Sequence, residues 1–267
     1  MIFRNDDYPG FLQVIALDDC DSTNNYLKEN YKQLEERLPV LVTALQQTKG
    51  RGRRDRSWES KKNMGLYSSF GFHLETAGKL NLLPIIAGIS VIETLQEMVR
   101  SLRGTAPPPG TLPGFGLKWP NDILYDKRKI SGVLIENTIF KEKVYCITGI
   151  GINLDHEEGD FPGSLEDTAT SLHLITGKTI AIEKVNKVLA HIFFSNLEML
   201  ISKQEEEIIK KANRYSSFLE GERISFHRDD KIMTGIFRGI HHDGGIILEN
   251  ESGSIQIYYT GEPITNL

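Results

Sequence analysis

Cysteine is scarce in this sequence: Cys20 and Cys146 are the only two among 267 residues. Thiols so far apart signal neither a disulfide framework nor a paired-cysteine zinc site. They read as small hydrophobes in a reducing compartment, so the cytoplasm is the expected location. Long hydrophobic runs are missing as well. No uninterrupted apolar stretch reaches the roughly 18–20 residues a bilayer requires, and the N-terminal MIFRNDDYPG has no basic region leading into an apolar one. No membrane partner is expected. Positive charge is not in excess either. A formal net charge of −5 argues against a protein that grips duplex nucleic acid over a broad basic face. What remains, 39% hydrophobic and 25% charged residues, is ordinary globular composition with length for one large domain or a large and a small one.

Several chemistries are absent too. TGKT at 176–179 ends like a phosphate loop, but Leu172 stands where its first glycine must be. GFGLKW and GIGINL lack the third glycine of a dinucleotide fingerprint, and no GxSxG nucleophile elbow occurs. His241 and His242 are adjacent, and His156 precedes two glutamates. None of these shows zinc-ligand spacing, so they read as solvated loop histidines, and a metal hydrolase is excluded.

Strand and helix signals alternate irregularly through the first 219 residues. Apolar runs at Phe11–Leu17, Val40–Leu45 and Leu66–Leu74 predict strands, as do Ile123–Tyr125, Ile130–Glu136 and Lys143–Ile152. Leu27, Tyr31, Leu34 and Leu38 mark one face of a helix that Ser22 or Thr23 can cap. Pro84 opens a second, with Ile85, Ile89, Ile92, Leu95 and Val99 on its apolar face, and Val185, Leu189, Ile192, Leu197 and Leu200 mark a third. Residues 104–116, GTAPPPGTLPGFG, predict a long surface loop. After Glu220 the pattern turns to short β-rich runs between glycine turns, with HDGG as a hairpin signal. This predicts an α+β fold: a mixed sheet with helices over residues 1–219, then a small all-β domain over 220–267 packed against it.

The chemistry concentrates in three stretches. GRGRRDRSW, residues 50–58, holds four arginines opposed by Asp55 alone. Gly50 and Gly52 let backbone approach a ligand, and guanidinium forks match carboxylates and phosphates, so a small polyanion pocket is favoured over a nucleic-acid grip. In KWPNDI, residues 118–123, the proline fixes extended geometry before an Asn–Asp turn, which holds Lys118 at a rigid bend. Asp122 either ligates hydrated magnesium or supports the turn. GIGIN at 149–153 ends a strand with two glycines that leave room for a flat ligand, and Asn153 can read an amide or purine edge.

Taken with DSTN at 21–24, KISGVLIE at 129–136 and ATSL at 169–172, these motifs resemble biotin protein ligase, in that order, from about residue 15 to the C-terminus. Lipoate ligases share the fold, but the arginine loop with KWPND resembles the biotin branch. The resemblance implies a biotin/lipoate ligase-like catalytic domain and a small C-terminal β-barrel. It implies that biotin and MgATP form biotinyl-5′-adenylate and diphosphate, after which a lysine of a biotin carboxyl carrier protein or domain takes the biotin as an amide. No tightly bound prosthetic group is implied.

Carried over, Lys118 and Arg51 act on the reacting groups. Ser22, Thr23, Gln47, Gly50, Arg51, Gly52, Arg53, Lys118, Gly132 and Gly151 would bind biotin, with Arg53 near its ring end. Arg54, Arg56, Trp58, Asn121, Lys129 and Asn153 would bind the nucleotide. The basic loop would close as a lid on the adenylate. Lys49 and Asp55 depart from the small residues, often alanine and glycine, expected at their places. The resemblance leaves a homodimer open. Some relatives repress transcription through an N-terminal winged helix, and only about 20 residues precede DSTN here, so sequence-specific DNA binding is not expected.

Overall fold

The structure is a computed structural model that describes residues 8–75, 77–103, 114–140, 143–228 and 231–264. Most of the proline-rich loop, 104–113, lies outside the described residues. Its predicted end, Phe115 and Gly116, is instead strand, paired with Tyr125 and Leu124.

Seven strands form one mixed sheet. In chain order they are β1 (Gln13–Cys20), β2 (Val40–Gln47), β3 (Gly65–Leu74), β4 (Phe115–Lys118), β5 (Asp122–Tyr125), β6 (Arg128–Phe140) and β7 (Lys143–Asn153), and across the sheet they run β1-β2-β3-β7-β6-β5-β4. β1 and β2 are parallel, and every other neighbouring pair is antiparallel. The first strand begins two residues later than the apolar run suggests. Phe11 is 61% exposed and sets its ring edge against Phe194 at 5.1 Å, a contact that draws it out of the sheet.

The crossover from β1 to β2 is not the single helix its spacing predicts. It is α1 (Thr23–Glu29), α2 (Tyr31–Leu34) and a 3₁₀ turn, Glu35–Arg37. Asn30 is the C-cap of α1, at φ −97° and ψ 9°, and its side-chain amide adds a donor to the Tyr26 carbonyl that its backbone N–H already bonds. Ser22 takes the N-cap position with extended backbone but makes no side-chain cap hydrogen bond.

The two faces of the sheet are covered unequally. On one, α3 (Leu83–Arg103) and α5 (Ile182–Ile201) pack over Leu41, Phe70, Phe72, Cys146 and Ile150 as the main core. α3 continues a 3₁₀ turn, and over Lys79–Leu102 it is long and apolar enough to cross a membrane by length and composition. It is mostly buried against the sheet, and its hydroxyls are satisfied within the helix, Ser90 donating to Ile86 O and Thr94 to Ser90 O. In α5 the core-facing aromatic is Phe193, stacked on Phe70 at 4.5 Å, while Ile192 is only half-buried. On the opposite face α1 covers only Val40, Val42, Tyr145 and Ile147. Side chains alternate along a strand, so the next residues of β7 on that face are Gly149 and Gly151. There the side chains of Asn24 and Trp58 lie against the glycines.

α4 (Leu172–Thr176) and α6 (Glu205–Tyr215) complete the helices. The C-terminal part holds β8 (Arg223–Arg228), β9 (Lys231–Ile240), β10 (Ile246–Glu249), β11 (Ile255–Tyr258) and β12 (Glu262–Pro263), in the sheet order β11-β10-β9-β8-β12. This is the expected small all-β domain; among the described residues, its edge strands β11 and β12 do not pair with each other. The HDGG hairpin forms, with His241 N donating to Gly245 O and Gly244 at φ +94°. Several hydrogen bonds join this sheet and the segment before it to the first part of the fold or to α6. Ser217 N reaches Leu117 O at 2.9 Å, the Trp119 indole reaches Gly244 O at 3.0 Å, and Ile240 N reaches Asn213 Oδ1 at 2.9 Å.

Candidate active site

Every residue singled out from the sequence, except Gly50, lines one cavity of about 620 Å³ on the Gly149 and Gly151 side of the sheet. Its floor is a pair of glycines. Gly132 on β6 and Gly151 on β7 lie opposite each other in register. A Cβ on Gly151 would stand 2.5 Å from Trp58 Cε2, and one on Gly132 would stand 3.1 Å from Trp58 Cζ3. Trp58 therefore lies flat on the strands where side chains would ordinarily project. Lys129 Nζ stands 5.5 Å from its ring centroid, a cation–π contact. Its indole nitrogen is buried without a hydrogen-bond partner. Gly149 makes room in the same way for Asn24, whose Oδ1 would sit 2.3 Å from an added Cβ.

The basic loop is a hairpin. Trp58 N donates to Gly50 O at 2.9 Å, Gly52 N to Arg56 O at 2.6 Å and Arg56 N to Arg53 O at 3.3 Å. The two central residues of the turn, Arg54 and Asp55, both have positive φ, 54° and 58°, as a type I′ turn demands. Gly50 is a packing residue rather than a wall of the cavity, since a Cβ there would come within 2.3 Å of Trp58 O.

Carboxylates and an amide fix the arginines. Arg51 bonds Glu136, Arg53 Nη1 donates to Asn121 Oδ1 at 2.7 Å, and Arg56 bonds Glu262. Arg53 thus belongs with KWPND. Arg51 is the arginine that adjoins the α1 end, because Glu136 also accepts from Asn24 Nδ2 at 2.9 Å. This differs from the expected place of Arg53 beside Ser22, Thr23 and Gln47.

At the α1 end, Thr23, Gln47, Ser60 and Ser69 form a network of uncharged hydrogen-bonding side chains. Thr23 N and Oγ1 both reach Gln47 Oε1, at 2.9 and 3.2 Å, Gln47 Nε2 donates to Ser60 Oγ at 2.9 Å, and Thr23 Oγ1 meets Ser69 Oγ at 2.6 Å. Ser22 and Thr23 are almost wholly buried. A neutral polar head with several donors and acceptors suits such an end.

Cations gather in the middle. Burial draws the Lys118 ammonium below its ordinary pKa, and the charges of Asp122 and Glu262 oppose that shift. Burial likewise lowers Arg53, helped by repulsion from Arg54. Asp122 Oδ1 accepts Lys129 Nζ at 2.8 Å. A lone carboxylate already paired with an ammonium is no oxygen cage for a hard cation, so the geometry favours its role in the turn over magnesium ligation. Asn153 lines the cavity and its Nδ2 donates to Thr170 O at 3.0 Å, which fixes the amide.

Three participants were not singled out from the sequence. Asn24 stands inside DSTN, so its motif was the available signal. Glu136 closes KISGVLIE, but only the fold brings it to Arg51. Glu262 comes from β12. Burial pushes its carboxyl up, yet the hydrogen bond and charge of Arg56, with Arg54 and Lys118, hold it below its ordinary value. No local pattern marks Glu262, since its partners lie some two hundred residues earlier.

Comparison with known proteins agrees with this geometry. Residues 17–153 match the biotin/lipoate A/B protein ligase family, and residues 221–262 match the biotin protein ligase C terminal domain. The bifunctional ligase/repressor BirA of Bacillus spizizenii is 29% identical over 230 residues, 82% of this chain and 64% of that protein. The chain thus spans under two thirds of that relative's length. The Escherichia coli BirA is 27% identical over 255 residues, covering 93% of this chain and 73% of that one. A biotin protein ligase from Aquifex aeolicus, solved in complex with biotin and ATP, superposes with a TM-score of 0.74 at 33% identity, covering 94% of this chain and 97% of the other. A chain matched by the family across its first sheet, and by that family's C-terminal domain across its last, belongs to the biotin/lipoate protein ligases, on the biotin protein ligase side.

Proposed function

We propose that this protein is a biotin protein ligase. It would activate biotin with MgATP to biotinyl-5′-AMP and transfer the biotin to a specific lysine of a biotin carboxyl carrier protein or domain. One observation carries the reading: a single cavity joins a polar, hydrogen-bonded end at Ser22, Thr23 and Gln47, with Arg51 beside it, to a cationic middle at Lys118, Arg53 and Lys129, over a glycine floor. The polar end suits a ureido ring. The cations suit the place where a carboxylate and an α-phosphate must meet against their mutual repulsion.

In the first step a biotin carboxylate oxygen attacks the α-phosphorus. The new P–O bond forms as the bond to diphosphate breaks, and negative charge grows on the phosphoryl oxygens. Lys118, fixed at the end of β4, would hold those oxygens and the attacking carboxylate together, with Arg51 acting from the α1 side. Magnesium belongs to the nucleotide substrate in this scheme. Trp58 and Lys129 would pack the adenine, and Asn153 would read its edge. In the second step the carrier lysine, as a free amine, attacks the acyl carbon. The C–O bond to AMP breaks, and the nitrogen loses its proton. Between the steps the 50–58 hairpin, tied to Glu262, would keep water from the mixed anhydride.

The free thiols of Cys20 and Cys146 fit a cytoplasmic setting. We infer no sequence-specific DNA partner for the residues given, and the homodimer implied as an option stays open. The test is titration with biotin, then biotin with MgATP, reading diphosphate release and labelling of a carrier domain. Biotin-dependent release with carrier labelling supports the reading. Lipoate replacing biotin would move the substrate, and no binding of either would overturn it.

A further inference from the structure

The β9–β10 turn carries a second cluster, away from the cavity. His241, His242 and Asp243 each present one ligand atom, and these atoms all lie within 4.8 Å of one another. The two imidazole rings are 4.0 Å apart at 50°. Adjacent residues lack the usual spacing of zinc ligands in sequence, which is why the motif reads as solvated. The turn offsets that by bringing the ligand atoms of three consecutive side chains within 4.8 Å of one another.

Two observations indicate a preorganised set. Asp243 is oriented from two sides: the Tyr259 hydroxyl donates to its Oδ2 at 2.6 Å, and His241 Nδ1 bonds its Oδ1. The backbone that carries the ligands is also clamped. His241 N bonds Gly245 O, the Trp119 indole bonds Gly244 O, and Gly244 packs so closely on the preceding domain that a Cβ would lie 2.6 Å from Asn81 O. Little ordering entropy is left to pay on binding. His242 is exposed, so the cluster is open to ions in solution.

We propose that this turn binds a divalent transition metal of the zinc class through His241, His242 and Asp243, with water completing the coordination. Two imidazoles and a carboxylate are borderline donors that suit Zn²⁺, Co²⁺ or Ni²⁺ rather than Mg²⁺ or Ca²⁺. An ion there would brace the hairpin whose Gly244 carbonyl holds Trp119, and so would tighten the joint between the C-terminal sheet and the strand bearing Lys118.

The test uses the full chain after chelator treatment, titrated with Co²⁺ and followed by visible absorption, then with Zn²⁺ and followed by thermal unfolding. The expected result is one ion per chain with a rise in Tm. His242→Ala removes an exposed ligand and should keep the metal-free Tm while weakening binding about tenfold or more. Asp243→Asn should weaken it similarly. No binding at millimolar metal, or equal affinity in wild type and His242→Ala, would overturn the proposal. Neither readout depends on ligase activity.

Discussion

Arg56 and Glu262 stand 206 residues apart in the chain, yet Arg56 Nη2 lies 2.8 Å from Glu262 Oε2, and Arg54 Nη1 lies 3.6 Å from the same oxygen. The C-terminal sheet therefore latches the tip of the basic hairpin.

Glu262→Gln should open that latch without unfolding the protein. An exposed ion pair contributes about 0–1 kcal/mol, so Tm should barely move. The apparent KM for ATP should rise by up to about fivefold, because each tenfold costs about 1.4 kcal/mol. The pH dependence has a definite sign. The folded carboxyl lies below its ordinary value, so the pair's stabilisation is full above the ordinary glutamate range and is lost as pH falls through the depressed value. Acid titration followed by circular dichroism should show this dependence in the wild type and its loss in the variant.

Gly151→Ala should displace Trp58 from the sheet. The new methyl would start 2.5 Å from the indole, an overpacking worth about 1–3 kcal/mol. Biotin and ATP affinity, measured by calorimetry, should fall about tenfold, the equivalent of about 1.4 kcal/mol. Gly10→Ala, with nothing within 4 Å of the added atom, is the control and should bind normally.

Asp55 tests the turn itself. Glycine takes φ +58° freely, so Asp55→Gly should leave the hairpin formed. Asp55→Val should cost about 1–2 kcal/mol, since a branched side chain disfavours the left-handed region. Amide exchange at Gly52 and Trp58, whose N–H groups close the hairpin, should accelerate in the valine variant alone.

Lys118→Ala should lower diphosphate release by about a hundredfold or more, the loss typical of a charge-stabilising group in the transition state, with little change in Tm. Lys118→Arg should not restore it, because a planar fork cannot replace a point charge at a fixed bend. Because burial lowers the Lys118 pKa, the cation is lost at a lower pH than for an ordinary lysine. The alkaline limb of the pH profile for adenylate formation should move down accordingly. An alkaline limb at the ordinary lysine value would count against the assignment.

The parts legible in the sequence were those whose chemistry is local. Strand alternation located the main sheet, and the Pro84 helix came through its apolar spacing. GRGRR and KWPND marked the cavity because each packs several unusual residues into a short span. Boundaries that depend on a partner were less legible. Phe11 leaves the first strand for Phe194, Asn30 caps α1 at the Tyr26 carbonyl, and Phe115 becomes strand only because Tyr125 lies opposite. Glu136 and Glu262 became site residues through sheet register and domain packing, which leave no trace in neighbouring residues. The adjacent histidines of the β9–β10 turn lack the spacing of ligands drawn from regular elements, and only the turn brings their ligand atoms together.

The chain has two tryptophans, and both stand at moving parts of the proposed cycle. Trp58 rests on the glycine floor beneath the hairpin, and Trp119 is buried against the C-terminal turn with its indole on Gly244. Intrinsic fluorescence is therefore an unlabelled optical gauge of this molecule. Replacing Trp119 with phenylalanine leaves a single emitter that watches the lid, and replacing Trp58 leaves one that watches the domain joint. Closure over the nucleotide and tightening of the joint could then be timed separately in a stopped-flow instrument, with no dye attached.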